Sequence, residues 1–309
     1  MDGHDDLAAR FEARRRTLLT VAHRMLGSVA EAEDAVQETW LRLSRTDVSG
    51  VDNLTGWLRT VLTRVCLDVL RARRTRREHL TEQRVFDQVA GPAGEDLPGD
   101  PADRALLADS VSRALLVVLD RLTPAERVAF VLHDMFAVPF GEIAPLVGRT
   151  PVTAKKLASR ARAKVRGAPS APAGELAGQH AAVSAFLSAA RTGDLDAVLA
   201  VLAPDVVRRG DPAALAPGAA AEVRGARAVA EGTVLLAHRS RNAEPALVDG
   251  RVGAVVAVDG RLLAALIFAV RDGRIAAYEV IADPARLARL DLAVLDGALP
   301  DAAQPPWPV

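Results

Sequence analysis

The sequence predicts a multidomain chain in which two all-α units, a helical bundle and a helix-turn-helix, precede an α+β unit. Three observations predict it. Apolar residues recur at helical spacing in a series of stripes from Arg10 to Val165. The turn Gly148-Arg-Thr-Pro151 separates a short helical stripe from a basic one, which is helix-turn-helix grammar. Further on, Asp249-Gly250, Asp259-Gly260 and Asp272-Gly273 each sit between β-rich runs, and Asp-Gly is the preferred pair of a two-residue type I′ hairpin. At 309 residues the chain exceeds one ordinary domain, so two or three are expected.

Leu18, Leu19, Ala22, Met25 and Leu26 form the first stripe, closed by Gly27 as a C′ residue. Ser28 and Glu31 have capping-box spacing and open a second helix through Val29, Ala32, Val36, Trp40 and Leu43. A third helix starts near Asn53, carries Trp57, Val61, Val65 and Val69 on one stripe with Leu58, Leu62 and Leu70 beside it, and runs into Arg71-Ala-Arg-Arg-Thr-Arg-Arg77. Leu107, Val111, Leu115, Val118 and Leu122 mark a fourth. Thr123-Pro-Ala-Glu126 is a second capping box with proline at the first helical position, leading into Val128, Val131, Leu132 and Met135. A short helix follows near residues 141–147, with Pro145 inside it. Thr150 then caps a helix with Ala154, Leu157, Ala161 and Val165 inward.

Residues 168–178 read as a flexible linker rich in Ala, Gly and Pro. Beyond it, helices are expected over about 179–191 and 194–203, a polar strand near Asp205 to Arg209, and a helix over about 225–237. A four-strand antiparallel meander follows over 243–248, 251–258, 261–271 and 274–281, with helices covering one face of the sheet. The last residues, with Pro300, Pro305, Pro306 and Pro308, read as a frayed tail. The expected domains are therefore 8–77, an acidic linker 78–103, 104–167, a linker 168–178, 179–291 and a Pro-rich tail 292–309.

Lys plus Arg balance Asp plus Glu at 39 each, and the balance hides a split. Residues 1–167 carry 26 basic against 23 acidic residues, while 168–309 carry 13 against 16. Seven basic residues and no acid lie from Arg149 to Arg166, and Glu78 to Asp103 is acidic between these two basic modules. Two basic runs at predicted helix ends are an electrostatic footprint for DNA. No apolar run approaches the roughly 18 residues of a membrane span, and the acidic start is unlike a signal peptide, so a cytoplasmic protein without membrane attachment is expected. The single cysteine, Cys66, excludes an internal disulfide, no Cys/His cluster has zinc spacing, and neither a metal nor a cofactor is expected.

Residues 10–166 resemble an extracytoplasmic-function sigma factor, the promoter-recognition subunit of bacterial RNA polymerase. The resemblance rests on Glu33-Asp-Ala-Val-Gln-Glu-Thr-Trp-Leu-Arg42, on Trp57-Leu-Arg-Thr-Val-Leu-Thr-Arg-Val-Cys-Leu-Asp-Val-Leu-Arg71, and on Leu122-Thr-Pro-Ala-Glu-Arg-Val-Ala-Phe-Val-Leu132 leading into the helix-turn-helix. It implies two modules, σ2 and σ4, that bind core RNA polymerase at the β′ clamp helices and the β flap. Asp34, Glu38 and Arg42 would then face polymerase. Asn53, Arg59, Arg64, Asp68 and Arg71 would serve the −10 element, and Arg149, Thr150, Thr153, Lys155, Lys156, Ser159 and Arg160 the −35 element of promoter DNA.

The segment Glu142 to Gly167 is similar to a subgroup with a fused SnoaL-like (NTF2-like) domain, which also accounts for Pro145. Asp283-Pro-Ala-Arg-Leu287 resembles that domain's Asn-Pro-Asp-Lys-Leu signature, so Asp283, Pro284, Arg286 and Leu287 are expected at a regulatory contact between the C-terminal domain and σ2/σ4. Two subgroup motifs depart: Asp96-Leu-Pro-Gly-Asp100 stands for Trp-Leu-Pro-Glu-Pro, and Gly210-Asp-Pro-Ala-Ala214 for Asp-Gly-Gly-Gly.

A SnoaL-like cone encloses a pocket for a small ligand, and Asp211, His238, Tyr278 and Glu279 are the residues there that suit general base chemistry. Each also has a structural reading in a turn, a helix end or a strand, and no pair has catalytic spacing, so the chain is expected to regulate rather than catalyse. The rival for the whole chain is a helix-turn-helix transcriptional regulator with a ligand-binding or enzymatic C-terminal domain, which leaves the first helical unit without purpose.

Overall fold

The computed structural model describes residues 2–47, 51, 53–79, 112–216 and 218–295. Leu107, Val111, most of the acidic linker with Asp96 to Asp100, and the tail from residue 296 lie outside them.

The first unit is α1 (Asp2–Leu26), α2 (Val29–Ser44) and α3 (Leu54–His79). All five residues of the first stripe are buried, and Gly27 ends α1 at φ +82°, its N–H donating to the His23 carbonyl at 2.7 Å. The expected Ser28 capping box does not form: Ser28 has the extended cap backbone, but its hydroxyl makes no capping bond. Glu31 is instead held by Arg73 of α3, whose Nε donates to it at 3.0 Å while Nη1 donates to the Leu26 carbonyl at 2.8 Å. A charged guanidinium is a stronger partner than a backbone amide, and this one ties three helices together. On α3 the innermost row is Leu58, Leu62, Cys66 and Leu70, with Trp57, Val61 and Val69 half-buried beside it. Trp40 packs on Phe11 with ring centroids 5.0 Å apart, so it belongs to this core.

The second unit is α4 (Arg113–Asp120), α5 (Pro124–Phe130), α6 (Phe140–Leu146) and α7 (Pro151–Arg166), with α5 running on as a π-helical turn over Val131–Met135. Ser112 caps α4, so within the described residues that helix starts at Arg113. The Thr123–Glu126 capping box forms in both directions. Pro145 is the sixth residue of α6 and removes one bond of its ladder, and the Val147 and Arg149 N–H groups close the helix on the Ile143 and Ala144 carbonyls. Ala154, Ala158, Ala161 and Val165 seat α7 on the unit, small residues that let the helices approach closely.

The C-terminal unit opens with α8 (Ala173–Thr192) and α9 (Leu195–Val201), then β1 (Leu202–Gly210), β2 (Glu222–Arg224), α10 (Ala226–Leu235) and α11 (Ala237–Ser240). It closes with β3 (Ala243–Val248), β4 (Arg251–Val258), β5 (Arg261–Arg271), β6 (Arg274–Ile281), α12 (Pro284–Leu287) and β7 (Leu292–Ala293). The sheet order is β2-β1-β6-β5-β4-β3-β7, with β1 parallel to β6 and the other pairs antiparallel. The meander has the expected bounds. At each of its turns both residues have positive φ, 50° to 52° for Asp249, Asp259 and Asp272 and 70° to 74° for the following glycines, as type I′ requires. The flexible linker is shorter than expected. Ala-rich α8 starts at Ala173, and Ser170 pins the remainder by donating its N–H and hydroxyl to the Gly250 carbonyl, each at 2.8 Å.

The sheet is covered on both faces, where helices on one face alone were expected. Val252, Ala254 and Val256 of β4 pack with Phe186, Leu187 and Val198 of the helices, as expected. Their alternates Val255 and Ala257 are buried as well, together with Ala246 and Val248, in one apolar cluster that contains the cores of both helical units. The sheet therefore packs on both sides, with helices α8 to α10 on one and α4 on the other. A strand buried on both faces reads as a continuous apolar run, and 252–258 is one.

Candidate nucleic-acid interface

The helix-turn-helix presents a basic face unobstructed by the rest of the described chain. Thr150 caps α7, accepting from the Thr153 N–H at 3.3 Å, and its hydroxyl lies 3.0 Å from that of Thr153. Both threonines are thus used in part to start the helix. Arg149, Lys155, Lys156, Ser159 and Arg160 are exposed, with Val152 among them at 67% exposure. Side chains of these types on the first turns of a helix suit phosphates and base edges in a major groove. The back of the same helix is anchored: Lys164 reaches buried Glu126 at 2.9 Å and Arg162 holds Asp134. Burial pushes the Glu126 carboxyl up, but hydrogen bonds from Lys164 and Thr123 outweigh it and hold the group below its ordinary value.

The expected −10 residues divide. Arg64, Asp68 and Arg71 share one exposed face of α3, with Arg71 3.6 Å from Asp68. Asn53 is the cap of α3, accepting from the Gly56 N–H at 2.8 Å. Arg59 is drawn to the other unit, where it pairs with Glu142 on α6, the first helix of the helix-turn-helix. Burial at that junction lowers the Arg59 pKa. The expected polymerase residues lie together on α2: Asp34 is exposed and Arg42 donates to Glu38 at 2.8 Å. Leu41 is an exposed apolar side chain beside them.

Several residues that join the units carry no motif. Arg24 of α1 lies over the Phe136 ring at 4.9 Å. Glu244 of β3 accepts from the Ser112 hydroxyl at 2.7 Å, the Ala114 N–H at 3.1 Å and Arg113 at 3.3 Å, so an acid of the C-terminal unit caps α4 of the second. Arg121 donates to the Leu287 carbonyl at 2.7 Å and also to that of Leu290. The Val294 N–H donates to the Val165 carbonyl at 2.9 Å. At the three-way junction Gly27 and Gly260 approach so closely that a Cβ on Gly260 would stand 3.4 Å from the Gly27 Cα. A sequence signal existed for Glu244: it is an acid on the same strand face as buried Ala246 and Val248.

In the expected regulatory segment, Leu287 meets the second unit through its carbonyl and is itself buried on Ile281 and Ala265. Asp283 caps α12, accepting from the Arg286 N–H at 2.8 Å behind Pro284 at its first position, and Arg286 pairs with Glu279 at 2.7 Å. These side chains act inside the C-terminal unit.

Of the residues suited to base chemistry, buried Asp211 accepts from the N–H groups of Ala214, Ala282 and Asp283, each at 3.0 Å, and holds the end of β6. His238 is exposed on α11, and Glu279 holds Arg286. Tyr278 alone of the four lines the cavity under the sheet, with its hydroxyl 3.1 Å from that of Thr233, and burial raises its pKa so that it stays protonated at neutral pH. Among the described residues, no group of three or more His, Cys, Asp or Glu side chains is placed to hold a metal ion, and no helix is long and apolar enough to cross a membrane.

Comparison with known proteins follows the same division. Residues 10–76 match Sigma-70 region 2 and residues 112–165 match Sigma-70 region 4. The ECF RNA polymerase sigma factor SigJ of Mycobacterium tuberculosis is 41% identical over 289 residues, which cover 89% of this chain and 91% of the relative. The crystal structure of the Mycobacterium tuberculosis extracytoplasmic function sigma factor SigJ has a TM-score of 0.43 at 35% identity, covering 91% of this chain and 98% of that one. Because the identity continues through the C-terminal unit rather than stopping at the helix-turn-helix, the whole chain belongs to the extracytoplasmic-function (ECF) RNA polymerase sigma factors.

Proposed function

We propose that this sigma factor is held closed by its own C-terminal domain, and that it starts transcription only after σ2 and σ4 part. The observation that carries the reading is the direct packing of σ2 on σ4, with Arg59 of α3 paired to Glu142 of α6. The −10 and −35 elements lie about 25 base pairs apart, which is about 85 Å along B-DNA. Two modules in ion-pair contact do not span that distance. The C-terminal domain reinforces the closed form through Glu244, through the Leu287 and Leu290 carbonyls held by Arg121 of σ4, and through the shared apolar cluster. This replaces a separate inhibitor by a tethered one of high effective concentration.

In the opened state α7, with Arg149, Lys155, Lys156, Ser159 and Arg160, lies in the −35 major groove. Arg59, Arg64, Asp68 and Arg71 of α3 serve the −10 element, while Asp34, Glu38 and Arg42 of α2 meet core polymerase. The domains run 8–77 for σ2, up to Gly167 for σ4, and from Ala173 for the C-terminal domain. The reading assigns no catalysis to the chain: Asp211 and Glu279 are committed to structural bonds, and no carboxylate lines the described cavity.

The test measures the separation of σ2 and σ4 with spin labels at Ser44→Cys and Ala163→Cys in the full chain, Ala163 being an exposed residue of α7 outside the −35 set. Native Cys66 does not compete, because it is fully buried and its thiol is pushed up to about 12. A single short distance is expected in the free protein, lengthening by tens of ångströms on core polymerase and promoter. A long, broad distribution in the free protein would sink the closed-state reading. Glu244→Lys should shift the free protein toward that open distribution and tighten core binding roughly tenfold, through loss of a capping acid and of its bonds.

A further inference from the structure

We propose that the cavity between the sheet and helices α8, α10 and α11 is a binding site for a small carboxylic acid with an apolar aliphatic or aromatic body, whose carboxylate is taken by Arg208. The proposal does not depend on the closed-state reading. The cavity is a concave chamber with about 790 Å³ of atom-free space including its open mouth. Its walls are apolar, chiefly Phe186, Leu187, Val256, Leu263, Leu266 and Val280. The polar side chains are few and converge from three elements: Arg208 on β1, Thr233 on α10 and Tyr278 on β6, with Ser240 at the end of α11.

Strand register sorts the arginines of this region. In the parallel β1–β6 ladder Arg208 pairs with Tyr278, which places both on the face that carries buried Val206 and the cavity. The next residues along each strand point the other way and are neutralised there: Arg209 pairs with Glu222 at 2.8 Å, and Glu279 with Arg286 at 2.7 Å. Arg208 has no ion-pair or hydrogen-bond partner among the described residues, and no Asp or Glu lines the cavity. A guanidinium facing an apolar chamber without a counter-ion repels cations and gains most from a carboxylate, which accepts two parallel N–H bonds from it. A single cation matches a singly charged acid, whereas a phosphate dianion is met in proteins by several donors. The protonated Tyr278 hydroxyl, already placed by Thr233, is a further donor toward the bound acid. Entry is provided where α10 stops at Leu235 and α11 begins at Ala237: Leu236 between them lines the cavity, and Leu235 is 79% exposed at that break.

The experiment titrates the full chain calorimetrically with octanoate, 1-octanol and octylamine, which share a body and differ in the head group. Octanoate is expected to bind ten- to hundredfold more tightly than octanol, the span of a charge-assisted bidentate pair, and octylamine not at all. Arg208→Gln should lower octanoate to the level of octanol, while Arg209→Gln, which alters a neighbouring arginine on the opposite face, should leave it unchanged. Because Arg208→Gln also changes a strand residue, Ala264→Phe serves as a second variant: it fills the cavity wall with Arg208 intact and should abolish binding of both octanoate and octanol. Octanoate binding that persists undiminished in Arg208→Gln, or that is no tighter than octanol, overturns the proposal. So does failure of octanoate, decanoate and phenylpropionate alike to bind the wild-type chain.

Discussion

Helices α3 and α7 look alike in sequence, each basic along its C-terminal part or outer face, yet the fold treats them in opposite ways. Beyond the cap and the anchoring residues Arg162 and Lys164, the basic side chains of α7 project into solvent with the helix held from behind by small apolar residues. On α3 the arginines are partitioned: Arg73 clamps Glu31 and the Leu26 carbonyl, Arg59 reaches Glu142, and Arg64 and Arg71 stay outside. The lesson is that a count of basic residues measures available charge, whereas geometry decides which charges are already committed to the fold.

The engaged side of this comparison has an acid limit, and that is the largest effect expected. His23 on α1 is buried beside Arg127 and Arg24, and burial first, then these two cations, lower its pKa to about 4. Its folded pKa lies below the unfolded value, so the unfolded chain binds the extra proton first. Stability is therefore present above about pH 6.5 and lost as the pH falls toward 4, by about 3 kcal/mol. Urea denaturation across that range checks it, and His23→Gln should flatten the profile. An unchanged slope would remove His23 from the account.

Next in size is the clamp itself. Arg73→Ala leaves Glu31 and the Leu26 carbonyl without their partner at a helix junction and should cost about 2 kcal/mol. Arg160→Ala on the open helix should stay within about 0.5 kcal/mol of wild type. Equal losses in thermal or chemical unfolding would erase the distinction between the two helices.

A smaller change tests the ion pair between modules. Glu142 is half-exposed, so Glu142→Ala should weaken closure by no more than about 1 kcal/mol, which corresponds to at most about a fivefold gain in core polymerase affinity. A loss of affinity would point to a different role for Glu142. The smallest effects are those on α7 taken singly. Lys155→Ala and Lys156→Ala should each reduce the salt dependence of −35 binding by about 0.9 in the log–log slope, with stability unchanged. A slope equal to wild type would place that lysine away from phosphate.

Much of the architecture was legible because it is encoded locally. The Thr123–Glu126 box, the Thr150 cap and the Asp-Gly turns are satisfied by residues within a few positions of one another, and all three formed as expected. The Ser28–Glu31 box met the same spacing rule and failed, because Arg73, 42 residues away from Glu31, is the stronger partner. The same limit explains the site. Lys155, Lys156, Ser159 and Arg160 are found where helical periodicity places them, on the face opposite the small residues, with Arg149 just ahead of the cap. The commitments of Arg59 and Arg286, and the importance of Glu244 and Arg121, arise from pairs 7 to 169 positions apart.

The sequence by itself determined the elements, their order and the family, since periodicity, caps, turns and motifs are local or linear properties. Only the tertiary structure decided that σ2, σ4 and the C-terminal sheet share a core. The physical reason is that apolar faces carry no address: the back of the sheet, α4 and α3 each need cover, and which covers which is set by shape and by a few long-range polar pairs. The same holds for Arg208, whose neighbour Arg209 has identical chemistry. Strand register alone turned one of them toward Glu222 and the other into the cavity.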